Sequence, residues 1–303
     1  MYLKWYNKYM KLRFLGTGTS HGIPVIACDC KVCKSTDKKD KRFRSSAYIT
    51  TDDDKHILID CGPEFRMQCL ANDIKKVDAV LLTHSHADHF HGIDDLRIFS
   101  CDMFREPVGA SKTVMDQYKA PPIPIYTNET TVNDLYSRFS YIFKSVTEGG
   151  GHARLNPIVA NEQFKYGNTT ITPIPMMHGH LATTGWLLTE IKQSGEKKSI
   201  AYLTDCSYIS DESIELIKKN AGTLEHLVID GLRIRPHSTH FSFLEALTAA
   251  EKIGANHVWL THMNHDSSHE EIISYIQEHL KEFPGLLKSK SVLPAYDQLD
   301  LES

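Results

Sequence analysis

Short apolar runs, several alternating with polar residues, recur at residues 11–15, 47–51, 56–60, 79–83, 169–174, 185–189, 199–204, 226–230 and 257–261, and each predicts a β-strand. Several of them end abruptly in a polar cluster. Apolar spacings of three and four predict helices over residues 210–220, 242–253 and 269–282, with Asp211, Ser242 and Ser268 or His269 near their starts. Strands come first and strand–helix alternation later, so the pattern predicts a layered α/β arrangement with sheets covered by helices. No internal repeat or low-complexity tract is evident.

Residues 101–156 break the rhythm. They carry "APPIPIY", the aromatic group "YSRFSYIF" and the glycines Gly149, Gly150 and Gly151. They read either as an insertion that caps a site and hinges at the glycines, or as a surface excursion with a small core of its own. A single domain over residues 11–293 containing this insertion is expected. Met10 stands directly before the first strand, so residues 1–10 read as an N-terminal extension or a misassigned start.

A chain of 303 residues buries a full core, so metal is not needed merely to rescue a tiny fold. The net charge of -4, with signs mixed throughout, argues against a protein that coats nucleic acid or an anionic membrane. No run of eighteen apolar residues and no secretory pattern is seen, so a cytoplasmic protein with no membrane association is expected. Seven cysteines is an odd number, and three of them crowd into "CDCKVC", which favours thiolate metal ligation over disulfides.

The densest chemistry lies in residues 82–95, "LTHSHADHFHGIDD", with four histidines and three aspartates. A strand ending near Thr83 would release His84, His86, Asp88 and His89 into a tight turn, where they can converge on a metal; a helix could not gather them so easily. Imidazole and carboxylate suit zinc, manganese or iron. One loop cannot complete two metal shells. Further ligands are sought just beyond other apolar runs: His178 in "PMMHGH", where His180 competes; Asp205 in "AYLTDCS"; and His262 in "THMNH".

Cys28, Cys30 and Cys33 offer three soft ligands, and a closed tetrahedral zinc needs a fourth. His265 is the candidate, three residues after His262, so one loop would serve two metal sites. Such a structural zinc would staple the N-terminal loop to the active edge without doing chemistry. Cys61, Cys69, Cys101 and Cys206 belong to neither pattern and read as free thiols.

The histidine loop with its distant partners resembles the metallo-β-lactamase superfamily, which implies a four-layer αββα sandwich with a dinuclear site on one sheet edge. By that resemblance His84, His86 and His178 hold one ion, Asp88, His89 and His262 the other, and Asp205 bridges them. Two divalent ions, zinc or manganese, against two carboxylates and a bridging hydroxide leave net positive charge, which suits a small anionic phosphodiester. Within the superfamily, "GTGTSHGIP", "CDCKVC" and "RFRSSAYI" resemble the phosphoribosyl cyclic phosphodiesterase group, which carries both the dinuclear site and the Cys3His zinc. "GTGTS" lacks the following Lys-Ser/Thr helix of a phosphate loop and reads as a tight turn.

These readings imply a metal-dependent phosphodiesterase that opens a small, cyclic phosphodiester with a hydroxide bridging the two ions. The catalytic residues are expected to be Asp88 and, as phosphate contact and general acid, His240, with His237 second. Arg233, Arg235, His21 and Arg44 read as solvated or local. Two alternatives stay open: a ribonuclease Z-type transfer RNA 3' endonuclease, against which stands the absence of a long basic arm, and a non-hydrolytic biosynthetic or binding protein related to the pyrroloquinoline quinone member, which shares the cysteine loop. Nucleic acid is a disfavoured partner, and a homodimer stays open.

Overall fold

Parallel neighbouring strands need long crossovers, and helices supply them here. The computed structural model describes residues 9–100, 121–144 and 152–303. One seven-stranded sheet runs in the order β14 (Asp300–Glu302), β1 (Lys11–Gly16), β2 (Ser46–Thr50), β3 (His56–Ile59), β4 (Ala79–Leu81), β5 (Ile123–Thr127), β6 (Leu155–Val159). The second runs β13 (Ser291–Pro294), β12 (His257–Thr261), β11 (Thr223–Asp230), β10 (Lys197–Leu203), β9 (Leu181–Ile191), β8 (Thr169–His178), β7 (Phe164–Tyr166). Each sheet is half antiparallel and half parallel: β3 to β6 in the first and β10 to β13 in the second are parallel.

Period-two alternation sets the layers. On β3, Ile57 and Ile59 enter the core between the sheets while Leu58 turns to the helices; on β10, Ile200 and Tyr202 point inward and Ala201 and Leu203 outward. Trp186 and Phe14 fill the same central layer. The helices Phe65–Ala71 and Glu129–Arg138 cover the first sheet through Phe65 and Leu135. Asp211–Ala221, Phe243–Ile253 and His269–His279 cover the second through Ile214, Ile217, Phe243, Leu247, Ile272 and Ile276. The result is the four-layer αββα sandwich. Two of these helices start on complete capping boxes, Ser242 with Glu245 and Ser268 with Glu271.

Several expectations shift. Much of the expected insertion is sheet and helix: β5, the helix Glu129–Arg138 and the start of β6 all fall within residues 101–156. Residues 101–120 and 145–151, with the expected glycine hinge, lie outside the described residues. The fold also continues past residue 293, because β14 pairs with β1. Met10 is fully buried and its carbonyl accepts from the amide of Ser303, so it belongs to the domain rather than to an extension; residues 1–8 lie outside the described residues. The last helix ends at His279 and tightens into a 3-10 turn over Leu280–Glu282. Among the described residues, no helix is long and apolar enough to cross a membrane.

One close approach brings the histidine loop against the end of β3. The amide of Cys61 donates to the carbonyl of His89 at 2.7 Å, and that of Gly92 to the carbonyl of Cys61 at 2.8 Å. A Cβ at Gly62 would collide with the carbonyl of Asp88, and one at Gly92 with the carbonyl of Gly62. Both neighbours are backbone and cannot swing away. Gly62→Ala should therefore destabilise the fold by about 1–3 kcal/mol or more, measured by urea unfolding; a midpoint equal to the wild type would mean the loop has slack that this packing denies.

Candidate metal centre

The parallel halves of the two sheets send their carboxyl ends to a common edge, where α/β folds place ligands. β4 leads through Thr83 into His84, His86 and the short helix Ala87–Phe90 that carries Asp88 and His89. β8 ends on His178, β10 delivers Asp205, β11 ends on Asp230, and His262 directly follows β12. Asp60, Asp205 and His262 adopt φ of 59°, 54° and 61°, a left-handed turn that costs a residue other than glycine about 1–3 kcal/mol. Three of the strand ends that build the site thus carry backbone strain.

Donor atoms of His84, His86 and His178 lie within 4.8 Å of one another, and so do those of Asp88, His89, Asp205 and His262. A third group, Asp205, Asp230, His240 and His262, overlaps the second. His178, rather than the exposed His180, joins the first group. Asp205 also acts electrostatically on His84 and His178, as a carboxylate lying between the groups must. His91 is exposed and meets Phe139, and Asp94 accepts from the hydroxyl of Tyr141 at 2.7 Å, so neither joins the cluster.

The rings are oriented from behind. His89 Nδ1 donates to Asp60 Oδ2 at 2.7 Å, and His178 Nδ1 donates to the carbonyl of Thr239 at 2.7 Å. Thr83 Oγ1 donates to Asp60 and accepts from His84 Nδ1 at 2.9 Å. These bonds leave the Nε2 lone pairs facing the cluster. His84 Nε2, His89 Nε2 and both ring nitrogens of His262 are buried and make no hydrogen bond among the described residues. Asp88 and Asp205 oxygens come within 3.1 and 2.9 Å of His89 Nε2, yet neither forms a hydrogen bond with it. Buried, orphaned imidazole nitrogens beside carboxylates fit a divalent cation.

The charges agree. Burial and the neighbouring His89 push the His84 imidazole far below its ordinary value and keep it neutral. Burial alone would raise Asp88 and Asp205, but His89 and His262 outweigh it and hold both carboxylates well below their usual range. His89 is lowered by burial and raised more strongly by Asp205, Asp88 and Asp60. Buried carboxylates facing imidazoles in this way suit divalent ions, which would displace the protons held between them.

His240 stands beside this cluster, its ring stacked on His262 at 4.7 Å and 4.5 Å from that of His178. Its Nδ1 donates to Asp230 Oδ2 at 2.9 Å. Burial lowers its affinity for a proton, but Asp230 outweighs this and lifts its pKa to about 9. His237 lies 5.3 Å from His240, and its Nδ1 is taken by the amide and hydroxyl of Thr239. Of the arginines read as solvated or local, Arg235 pairs with Asp266, and Arg44 with Glu64.

The cysteines form a separate cluster that meets the first only through the His262–His265 loop. Sγ of Cys28, Cys30 and Cys33 lie 3.3, 3.5 and 3.5 Å from His265 Nδ1. A tetrahedral zinc with ordinary bond lengths puts sulfur and nitrogen about 3.6 Å apart, so the four donors already stand at ligand spacing. The amide of Cys33 lowers the Cys30 thiol to about 6, whereas burial raises Cys33 to about 11.

Three contributions escape a reading of local sequence. Asp60 and Asp230 each close an apolar run in the manner of Asp205, which was the available signal. Ser85, between the two histidines of the loop, donates to Asp134, and its carbonyl accepts from Arg138 Nη1 at 2.6 Å. The helix Glu129–Arg138, inside the expected insertion, thus braces the metal-binding loop from behind.

The Beta-lactamase superfamily domain matches residues 55–263. A solved structure described as a new diphosphatase from the PhnP family superposes with a TM-score of 0.74 at 35% identity, over 97% of this chain and 98% of that one. An octanoyltransferase of Porphyromonas gingivalis is 34% identical over 274 residues, which cover 89% of this chain and 49% of that protein, so the chain spans about half its length. A ribonuclease Z of Clostridium kluyveri is 25% identical over 258 residues, 72% of this chain and 82% of its own. With the domain matched over most of the chain and the strand-end histidines and aspartates meeting on one edge of an αββα sandwich, this protein belongs to the metallo-β-lactamase superfamily.

Proposed function

We propose that this chain is a metal-dependent hydrolase that opens a small, cyclic phosphodiester. The observation that carries the reading is the joint edge itself: two groups of buried donors side by side, with His240 held by Asp230 against them. In this reading His84, His86 and His178 hold one divalent ion, Asp88, His89 and His262 a second, and Asp205 lies between them. Cys28, Cys30, Cys33 and His265 hold a zinc whose shell is closed and does no chemistry. Ions bound at the edge would polarise a phosphoryl oxygen and lower the pKa of water.

The chain's own residues do the rest. Asp88 and Asp205 are the carboxylates within the two donor groups, so two divalent ions would leave those groups positive and favour an anionic group. Water, having lost one proton to solvent, bonds through its oxygen to phosphorus, the bond from phosphorus to the leaving oxygen breaks, and His240 gives that oxygen its proton and regains one from solvent. Asp230 keeps the imidazolium protonated through neutral pH, the state an acid needs at the start of turnover. A diphosphate linkage is a second reading, favoured by the 35% identity to a PhnP-family diphosphatase; the same residues would serve, with a phosphate as leaving group.

A panel of a ribosyl cyclic phosphate, a nucleoside diphosphate ester, bis(p-nitrophenyl) phosphate and a precursor transfer RNA, offered to zinc- or manganese-loaded protein, decides among these. Turnover is expected for the cyclic ester and the nitrophenyl ester, and not for the RNA. RNA cleavage with no small-ester turnover would move the protein to the ribonuclease Z reading, and full metal with no hydrolysis of anything to a non-hydrolytic role.

The acid can be separated from the metals by leaving group. Nitrophenolate needs no proton, so His240→Ala should cost the cyclic ester about 10²- to 10⁴-fold and the nitrophenyl ester far less. Asp230→Asn should lower the His240 pKa and move the alkaline fall of kcat/KM to lower pH. An unmoved profile would remove His240 as the acid. Asp60→Asn should weaken metal at the His89 position by about 10- to 100-fold in chelator competition; unchanged affinity would mean that His89 orients itself.

A further inference from the structure

His262 differs from the other buried imidazoles of the site. His84, His89 and His178 are each anchored through Nδ1, whereas neither ring nitrogen of His262 makes a hydrogen bond among the described residues. Its backbone is also in the left-handed region, at φ 61°. The ring is held by stacking on His240 and His89, and its backbone by the loop behind it. That loop carries His265, a donor of the cysteine site, three residues further on.

Arg42 reaches both ends of this arrangement. Its backbone pairs in both directions with Ile23, at 2.9 and 2.8 Å, and Ile23 packs with Val32 and Cys33 at the base of the cysteine loop. Its side chain, wholly buried, donates from Nη1 to the carbonyl of Asn264 at 2.9 Å and from Nη2 to that of Ser267 at 3.5 Å, so it grips the loop on either side of His265. Asp40 is its counterion at 3.5 Å and also accepts from the amide of His269, where the next helix begins. A buried guanidinium is costly, and an aliphatic side chain would fill the volume without that cost. What the guanidinium adds is a rigid fork of donors, which suits fixing two carbonyls at once.

We propose that Arg42 is a positioning residue that links the two metal sites: zinc in the cysteine site fixes His265, and Arg42 transmits that order along the loop to His262. The inference rests on the metal assignment above. Its consequence is that the ion held by His262 is retained less well whenever either the cysteine site or Arg42 is impaired, while the ion on His84, His86 and His178 is not affected.

The test measures zinc release from the intact, loaded chain into a chromophoric chelator, with His178→Ala and His262→Ala used to assign the phases. Arg42→Lys keeps the charge and loses the fork. It should speed release from the His262 position by about tenfold and leave the His178 phase unchanged. Cys30→Ser should speed the same phase, and the double variant should be no faster than the quicker single variant. Unchanged release at the His262 position in either single variant, or accelerations that multiply in the double, would overturn the link. Should Arg42→Lys fail to fold, Cys30→Ser alone decides, since unchanged release there breaks the proposed chain of order. If the metal assignment is itself wrong, the wild type will hold fewer than the expected ions at the outset, which separates that failure from this one.

Discussion

A wholly buried carboxylate survives only where donors surround it, and Asp60 is where this requirement shapes the site. It accepts from the amide and hydroxyl of Thr83 and from the ring of His89. The first two fix the end of β3 to the end of β4, and the third turns His89 toward the joint edge. Because Thr83 also holds His84, a single carboxylate orients one imidazole of each donor group. Replacing these bonds with apolar packing would satisfy the core and leave the rings free to rotate.

The same logic repeats in the second sheet. Asp230 ends β11 and accepts from His240 and the amide of Cys206, so it ties His240 to the strand that delivers Asp205. Both sheets thus spend a buried carboxylate at a strand end to aim a histidine across the edge. The inter-sheet core can pay for this. Phe14, Ile57 and Ile200 are fully buried there, and burial contributes about 1.5–3 kcal/mol per large apolar side chain, against about 1–3 kcal/mol for each left-handed strand-end residue.

Much of the layered fold was legible because its strands alternate and its later helices announce themselves with Ser242 and Ser268. The metal centre was legible for a different reason. His84, His86, Asp88 and His89 sit within six residues, and Cys28, Cys30 and Cys33 likewise, so local spacing marked these two loops, whereas His178, Asp205 and His262 were sought at other strand ends and their pairing came from the resemblance to the superfamily. What escaped was held together over distance. Ser85 meets Asp134 across 49 residues, and Arg42 meets Asn264 across 222. β14 is three residues long with two of them charged, too brief for periodicity to show, and β5 begins right after two prolines and carries a third. Reading 101–156 as one insertion followed from those prolines, whereas β5 is tied to β4 and β6 by the sheet and its following helix braces the histidine loop.

The overlap of the Asp230 group with the second donor group raises the question of whether His240 is a ligand or an acid. Asp205 and His262 belong to both groups, so an ion at one excludes an independent ion at the other. Asp230 Oδ2 is already committed to His240 and to Cys206, and a carboxylate that orients an imidazole in this way raises its basicity. Carboxylates raise the proton affinity of both imidazoles, so charge alone does not separate them. Geometry does: His89 has Asp60 on Nδ1 and a buried Nε2, free of hydrogen bonds, within 3.1 and 2.9 Å of Asp88 and Asp205 oxygens, whereas His240 Nδ1, 3.9 Å from Asp205, already donates to Asp230 at 2.9 Å. It is this difference that supports separate roles for His240 and His89.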